Sequence, residues 1–219
     1  VTIADIFDRF LLAARPRPRL HAAGHAPLER LPLVVIDCET TGLDPRRDRI
    51  VSIAAVEIGP GLAVGRTRLD AVVDPRMPIP PQATAVHGID AAQVAGAPTI
   101  ADLWEQITDA IGGHVVVGHH VAFDVTMLAA EARRAGLAWQ EPPCLDTAAL
   151  LEGMGLATDR PDLEDVLPRL GIEPRGKRHS ALGDATMTAD LFVALARRLR
   201  GQGRGTFGGA VAAQRLPSR

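Results

Sequence analysis

The sequence predicts an α/β fold: a mixed five-stranded sheet, three antiparallel strands and then parallel ones, flanked by helices. Three observations predict it. Strand-like segments joined by short connections fill residues 31–73, and short connections join antiparallel neighbours. Beyond residue 99 the apolar period changes from two to about 3.6. From there short buried strands alternate with helical segments, the order that builds parallel strands with helices on the sheet faces.

The elements follow in order. Residues 1–14 form an amphipathic helix, with Thr2 and Asp5 as a capping pair and Ile3, Ile6, Phe7, Phe10 and Leu11 on one face. Residues 15–30 are a basic, proline-broken linker. Residues 31–36 are branched and apolar, a first strand; 49–59 alternate, a second; 67–73 complete a meander. Residues 74–89 are a long proline-rich loop. Thr99 caps a helix to about Ile111 that turns Ile100, Leu103, Trp104 and Ile107 inward. Residues 114–120 are a short buried strand, 122–134 a helix closed by Gly136, and 143–145 a weak strand. Helices follow at 147–153, 162–170 and 181–200, and the Gly-rich residues 201–219 are expected to be a flexible tail. The organisation is therefore 1–30 helix and linker, 31–200 main domain, 201–219 tail.

Composition narrows the class. The chain has 219 residues, 47% hydrophobic and 23% charged, as ordinary globular domains do. A net charge of −2 gives no overall attraction for nucleic acid, so such a partner would need a local groove. Two cysteines, Cys38 and Cys144, are too few for a disulfide scaffold or a thiolate zinc site. No apolar run reaches membrane-spanning length and the first residues lack a signal-peptide layout, which together predict a cytoplasmic protein without a membrane partner.

Two carboxylates end the first strand, in the run Ile36, Asp37, Cys38, Glu39, Thr40, Thr41, Gly42. The Asp-x-Glu spacing alone is worth nothing: with this acidic content about 0.7 copies arise by chance, and the chain has a second at Asp162 and Glu164. Context separates them. On a strand, residues i and i+2 share a face, so Asp37 and Glu39 converge and can hold a hard cation. Asp162 follows Pro161 at a helix start, where acids suit the helix dipole. Asp124, alone, reads as another helix-start acid. Asp184 falls among Leu182, Met187 and Leu191 on a helix face and needs a partner if buried. His179 precedes that helix, and its plain reading is a cap or surface histidine.

Taken together, Asp37–Gly42 (Asp-x-Glu-Thr-Thr-Gly), His119–Asp124 (His-x-x-x-Phe-Asp) and His179–Asp184 (His-x-Ala-x-x-Asp) resemble the DnaQ-like 3′–5′ exonucleases of the histidine (DEDDh) type. This family includes the epsilon subunit of bacterial DNA polymerase III. The resemblance covers about residues 31–200, and Ala85–Ile89 also matches a loop of the epsilon-like branch. The sister branch uses tyrosine at the position of His179, and this chain contains no tyrosine. His120 departs from the family's usual asparagine.

The resemblance implies a ribonuclease H-like fold. It implies that Asp37, Glu39, Asp124 and Asp184 bind two Mg²⁺ or Mn²⁺ ions, with His179 as general base for the attacking water. The substrate would be a single-stranded or frayed 3′ end of DNA, or RNA, releasing nucleoside 5′-monophosphates in proofreading or repair. Thr40, Leu43, His87 and Phe123 are the candidate substrate contacts; Leu43 equally suits a locally packed turn, and His87 the ordering of its own loop. His119 suits a structural role. Arg175, Lys177 and Arg178 suit either phosphate contact or, more plainly, a solvated basic loop. An exoribonuclease and a non-catalytic nucleic-acid-binding module are the alternatives. The presence of all five catalytic residue types opposes the latter. The family also implies a polymerase subunit or a clamp as partner, which the sequence does not identify, and the oligomeric state is left open.

Overall fold

The computed structural model describes residues 22–157 and 161–215. The expected helix over 1–14 lies outside the described residues. The strands are β1 (Leu33–Thr40), β2 (Ile50–Gly59), β3 (Ala63–Val72), β4 (Val115–Gly118) and β5 (Cys144–Asp146). The helices are α1 (Pro81–His87), α2 (Ala91–Val94), α3 (Trp104–Ile111), α4 (Ala122–Ala135), α5 (Thr147–Gly153), α6 (Leu163–Arg169), α7 (Ala181–Gly201) and α8 (Phe207–Ala213).

The sheet order is β3-β2-β1-β4-β5. β1–β2 and β2–β3 are antiparallel, and β1–β4 and β4–β5 are parallel. This is the mixed, ribonuclease H-like sheet the sequence predicts. β1 pairs with β4 only through Leu33–Val35. Beyond Val35 β1 pairs only with β2, as far as Thr40, with a register shift at Glu39/Thr40. The carboxyl edge of the parallel strands is where α/β folds place ligands.

The alternation along β1 divides two cores. Leu33 and Val35 pack with β2, β4 and the α5–α8 layer. Val34, Ile36 and Cys38 pack with α3 and α4 on the opposite face. Asp37 and Glu39 continue the Leu33/Val35 face and so point toward α7. Cys38 points into the α3/α4 layer, where burial pushes its thiol pKa up; both cysteines are free and buried.

Three expectations change. The loop over 74–89 contains α1, which closes at Gly88 in a left-handed conformation. Thr99 does cap, through reciprocal bonds with Asp102, but one irregular turn separates it from α3.

The third correction concerns the segments on either side of the main domain. Residues 205–215 pack instead of forming a flexible tail, and residues 24–30 pack against them instead of forming a free linker. Thr206 caps α8, and Phe207, Ala210, Val211 and Ala213 are buried in the main core. The Leu28 amide donates to the Gly205 carbonyl (2.9 Å), the Phe207 amide to that of Ala26 (3.0 Å), and Arg200 pairs with Glu29 (2.8 Å). The glycines allow this: a Cβ on Gly153 would overlap the Ala213 carbonyl as α5 meets α8. The glycine content conceals an apolar stripe at helical spacing. Among the described residues no helix is long and apolar enough to cross a membrane.

Candidate metal centre

Two elements bring the acids together. β1 supplies Asp37 and Glu39, and the first turn of α7 supplies Asp184. One carboxylate oxygen from each lies within 4.8 Å of the others. α7 can start here because Ser180 caps it, its hydroxyl accepting from the Gly183 amide. Gly183 is required, since a Cβ there would overlap the Lys177 carbonyl, and Gly176 rests against Gly183. His179, just before the cap, sits in the left-handed region (φ 53°), a strained state for a non-glycine residue.

Burial and mutual repulsion set the electrostatics. Burial, then Asp124, Asp184 and Glu39, hold the Asp37 carboxyl well above the usual carboxylate range, with Arg178 opposing. Burial and then Asp184 push Glu39 up to about 7. Asp184 is raised by burial against the opposing pull of Arg178. The Asp184 Oδ1 atom is buried without a hydrogen-bond partner. An all-oxygen donor set, like charges only partly offset by Arg178 and an orphaned buried oxygen fit a hard divalent cation.

Asp124 stands apart from those three. It lies in the first turn of α4, in the layer that packs on the Cys38 face of β1, and is close enough to Cys38 for the two to shift each other's pKa. Burial pushes it up to about 8. The four expected carboxylates therefore divide three and one across the end of β1, with Asp124 still close enough to raise Asp37.

The other predicted positions are spread around this edge. The Thr40 hydroxyl donates to the Gly42 carbonyl (2.7 Å), which holds the turn after β1. Leu43 is partly exposed in that turn. His87 is buried; its Nδ1 accepts from the Ile89 amide (3.0 Å), so Nε2 keeps the proton, near the Thr40 carbonyl. Phe123 packs partly buried against the α3/α4 core. His119 has both ring nitrogens engaged: Nε2–H donates to the Pro161 carbonyl (2.6 Å) and Nδ1 accepts from the Thr147 hydroxyl (2.8 Å). Burial and then His120 push His119 down to about 3, so it is a neutral pin between β4, α5 and the start of α6.

Several contributors escaped the sequence reading. Asp48 accepts from the Thr41 hydroxyl (2.9 Å) and the Asp44 amide (2.8 Å), and fills the space a Cβ on Gly42 would need. Arg134, paired with Glu131 at 2.9 Å, donates to the Pro45 and Asp48 carbonyls and braces the same loop. Asp146 caps α5 and accepts from the His120 amide (3.1 Å), which fixes the left-handed residue before α4. Arg178 belongs to no solvated loop: it pairs with Asp184, Asp162 and Glu164. Arg175 is held by Asp190 at 2.7 Å. These contacts run to backbone groups or between elements and leave no spacing signature, so only the "RGKRHSALGD" stretch, with its two glycines, offered a hint of close packing.

The RNase_T exonuclease family model matches residues 34–192. A DNA polymerase III subunit epsilon-like protein of Rhodobacter capsulatus is 41% identical over 189 residues, 85% of this chain and 27% of that protein. The DNA polymerase III epsilon subunit of Aquifex aeolicus is 29% identical over 76% of this chain and 81% of its own length. The chain thus spans under a third of the Rhodobacter relative and most of the Aquifex one. Among solved structures, exonuclease X in complex with 5′-overhanging duplex DNA has a TM-score of 0.65 at 25% identity, covering 83% of this chain and 99% of that one. An exonuclease I structure, at 19% identity and a TM-score of 0.65, shares the fold. With the matched region spanning both cores and the carboxylate-bearing edge, this chain belongs to the RNase_T exonuclease family.

Proposed function

We propose that the chain is a divalent-metal-dependent 3′–5′ exonuclease that removes nucleoside 5′-monophosphates from the 3′ ends of DNA. The observation that supports this most is the Asp37–Glu39–Asp184 cluster with its orphaned buried oxygen at the open end of β1. Asp37, Glu39 and Asp184 would hold Mg²⁺ or Mn²⁺, with Asp124 completing a two-ion site from the other layer. Bound there, such ions would supply Lewis-acid stabilisation of the charge that develops in phosphodiester hydrolysis.

The chain's own residues do the rest. The His179 imidazole is the proposed general base that accepts the proton of the attacking water. β1 acts as a rigid mount for two of the carboxylates, because both its faces are packed. Thr40 at the end of β1, Leu43 in the turn after it, and His87 and Phe123 are the proposed contacts to the terminal nucleotide. The phosphodiester must reach the carboxylates, so a single-stranded or frayed end is the substrate form. DNA is inferred from the DNA polymerase names of the relatives and from the DNA in the exonuclease X complex. The same names point to a polymerase assembly as partner.

The test is an end-labelled panel of single-stranded DNA, mismatched duplex DNA and RNA with Mg²⁺ or Mn²⁺, comparing the parent protein with Asp37→Ala and His179→Ala. The expected result is 3′-end shortening of DNA that both variants abolish or strongly slow. Unchanged degradation by both variants overturns the mechanism, and preference for RNA assigns an exoribonuclease instead.

A further inference from the structure

Arg178 is placed where the metal-centre reading leaves no role for it. Its Nη1 lies 2.7 Å from Asp184 Oδ2, its Nη2 3.0 Å from Asp162 Oδ1, and its Nε 3.2 Å from Glu164 Oε1. One guanidinium thus bridges the acid cluster and the second Asp-x-Glu of the chain. The two ends of the bridge differ in solvation. The Asp184 side chain is 9% exposed, whereas Asp162 and Glu164 are 58% and 59% exposed.

We infer that Arg178 is a resident counter-cation of the acid cluster, which a divalent ion must displace from Asp184 and which the Asp162/Glu164 pair then retains. This rests on the divalent-ion reading above and extends it to the state without metal. The argument is one of charge and geometry. Three carboxylates within 4.8 Å repel one another, and a buried cluster of that kind needs positive charge. Arg178 provides it on a side chain with five donors in a planar fork, enough for three acids at once. Leaving Asp184 costs Arg178 one of three partners, and the other two lie at the solvated start of α6, where they also suit the helix dipole. The charge of Arg178 already lowers the Asp37, Glu39 and Asp184 carboxyls against burial. Arg178 also adjoins His179, so its release and the setting of the general-base loop occur in one segment.

A double-mutant cycle read by Mn²⁺ titration calorimetry tests this without relying on turnover. The proteins are the parent, Arg178→Gln, Asp162→Asn/Glu164→Gln, and the three substitutions combined, with Arg178→Lys as a charge-retaining control. Arg178→Gln is expected to tighten Mn²⁺ binding by about tenfold, the scale of one charge-assisted contact. Asp162→Asn/Glu164→Gln is expected to weaken it severalfold, because the guanidinium is left with Asp184 as its main partner, and to have no effect once Arg178 is Gln. Arg178→Lys should fall between the parent and Arg178→Gln. Equal or weaker binding by Arg178→Gln overturns the inference. So does weakening by the acid-pair substitutions that persists in the combined variant, since that is direct charge loss. A parent protein that binds no Mn²⁺ overturns the divalent-ion reading as well, whereas a parent that binds with an unresponsive Arg178 overturns this inference alone.

Discussion

Asp37/Glu39 and Asp162/Glu164 share one spacing and differ in everything the fold does with it. On β1 the two side chains leave the same face of a strand whose flanks are buried, and they meet Asp184 across a few ångströms. At the start of α6 the same spacing follows the helix turn. Asp162 caps, accepting from the Glu164 amide at 3.0 Å, and both carboxylates stay mostly in water around Arg178. The first pair is desolvated and charge-frustrated, a state suited to a divalent ion. The second is solvated and already neutralised. Spacing therefore encodes chemistry only through the element that bears it.

The contrast can be broken by substitution. The largest expected effect is on turnover. Asp37→Ala should lower kcat for 3′-end release by on the order of 10³-fold, while Asp162→Ala at saturating metal should stay within about threefold in the same assay. Comparable losses from both would erase the distinction. His179→Ala comes next. It should lower kcat by about 10²-fold or more and leave Mn²⁺ affinity unchanged, because its role is in proton transfer and not in ion binding. A matching loss of affinity would instead make it a ligand.

A third effect concerns pH and the metal-free protein. Glu39 is held at about 7, above its ordinary value of 4.5, so the folded state binds its proton more tightly than the unfolded state. Its contribution to stability is present below about 4.5 and is lost as pH rises through about 7, by no more than about 1.4 kcal/mol per pH unit before solvent screening. Chemical denaturation across this range should show that decline. Glu39→Gln should reduce it, leaving the share of Asp37, Asp124 and Asp184, and added Mg²⁺ should reverse it. The smallest effect belongs to the helix pair: Asp162→Ala removes a cap and should cost about 1 kcal/mol of stability, read as a lower urea midpoint.

The same contrast explains what could be read in the sequence. The antiparallel meander was legible because its strands are short branched runs with local connections, and the strand position of Asp37 and Glu39 followed from it. The chain order of the three motifs made Asp124, His179 and Asp184 candidates. What the motifs could not reveal was the side of β1 each acid would approach from, which is why Asp124 stands in the opposite layer. Arg178 was misread because two of its three partners lie 14 and 16 residues away at the start of α6, and a local basic run looks solvated without them. α8 was hidden by glycines whose meaning is close backbone approach, a property of the neighbour and not of the segment. Asp48 and Asp146 act by accepting backbone amides, a use that leaves no spacing signature.

The most direct measurement is Mn²⁺ binding followed by electron paramagnetic resonance, in which the free-ion signal disappears on binding. The parent protein and Asp162→Ala should each take up about two ions per chain, and Asp37→Asn/Glu39→Gln should take up neither tightly. Full Mn²⁺ uptake by Asp37→Asn/Glu39→Gln would contradict the assignment of the strand pair to the metal centre.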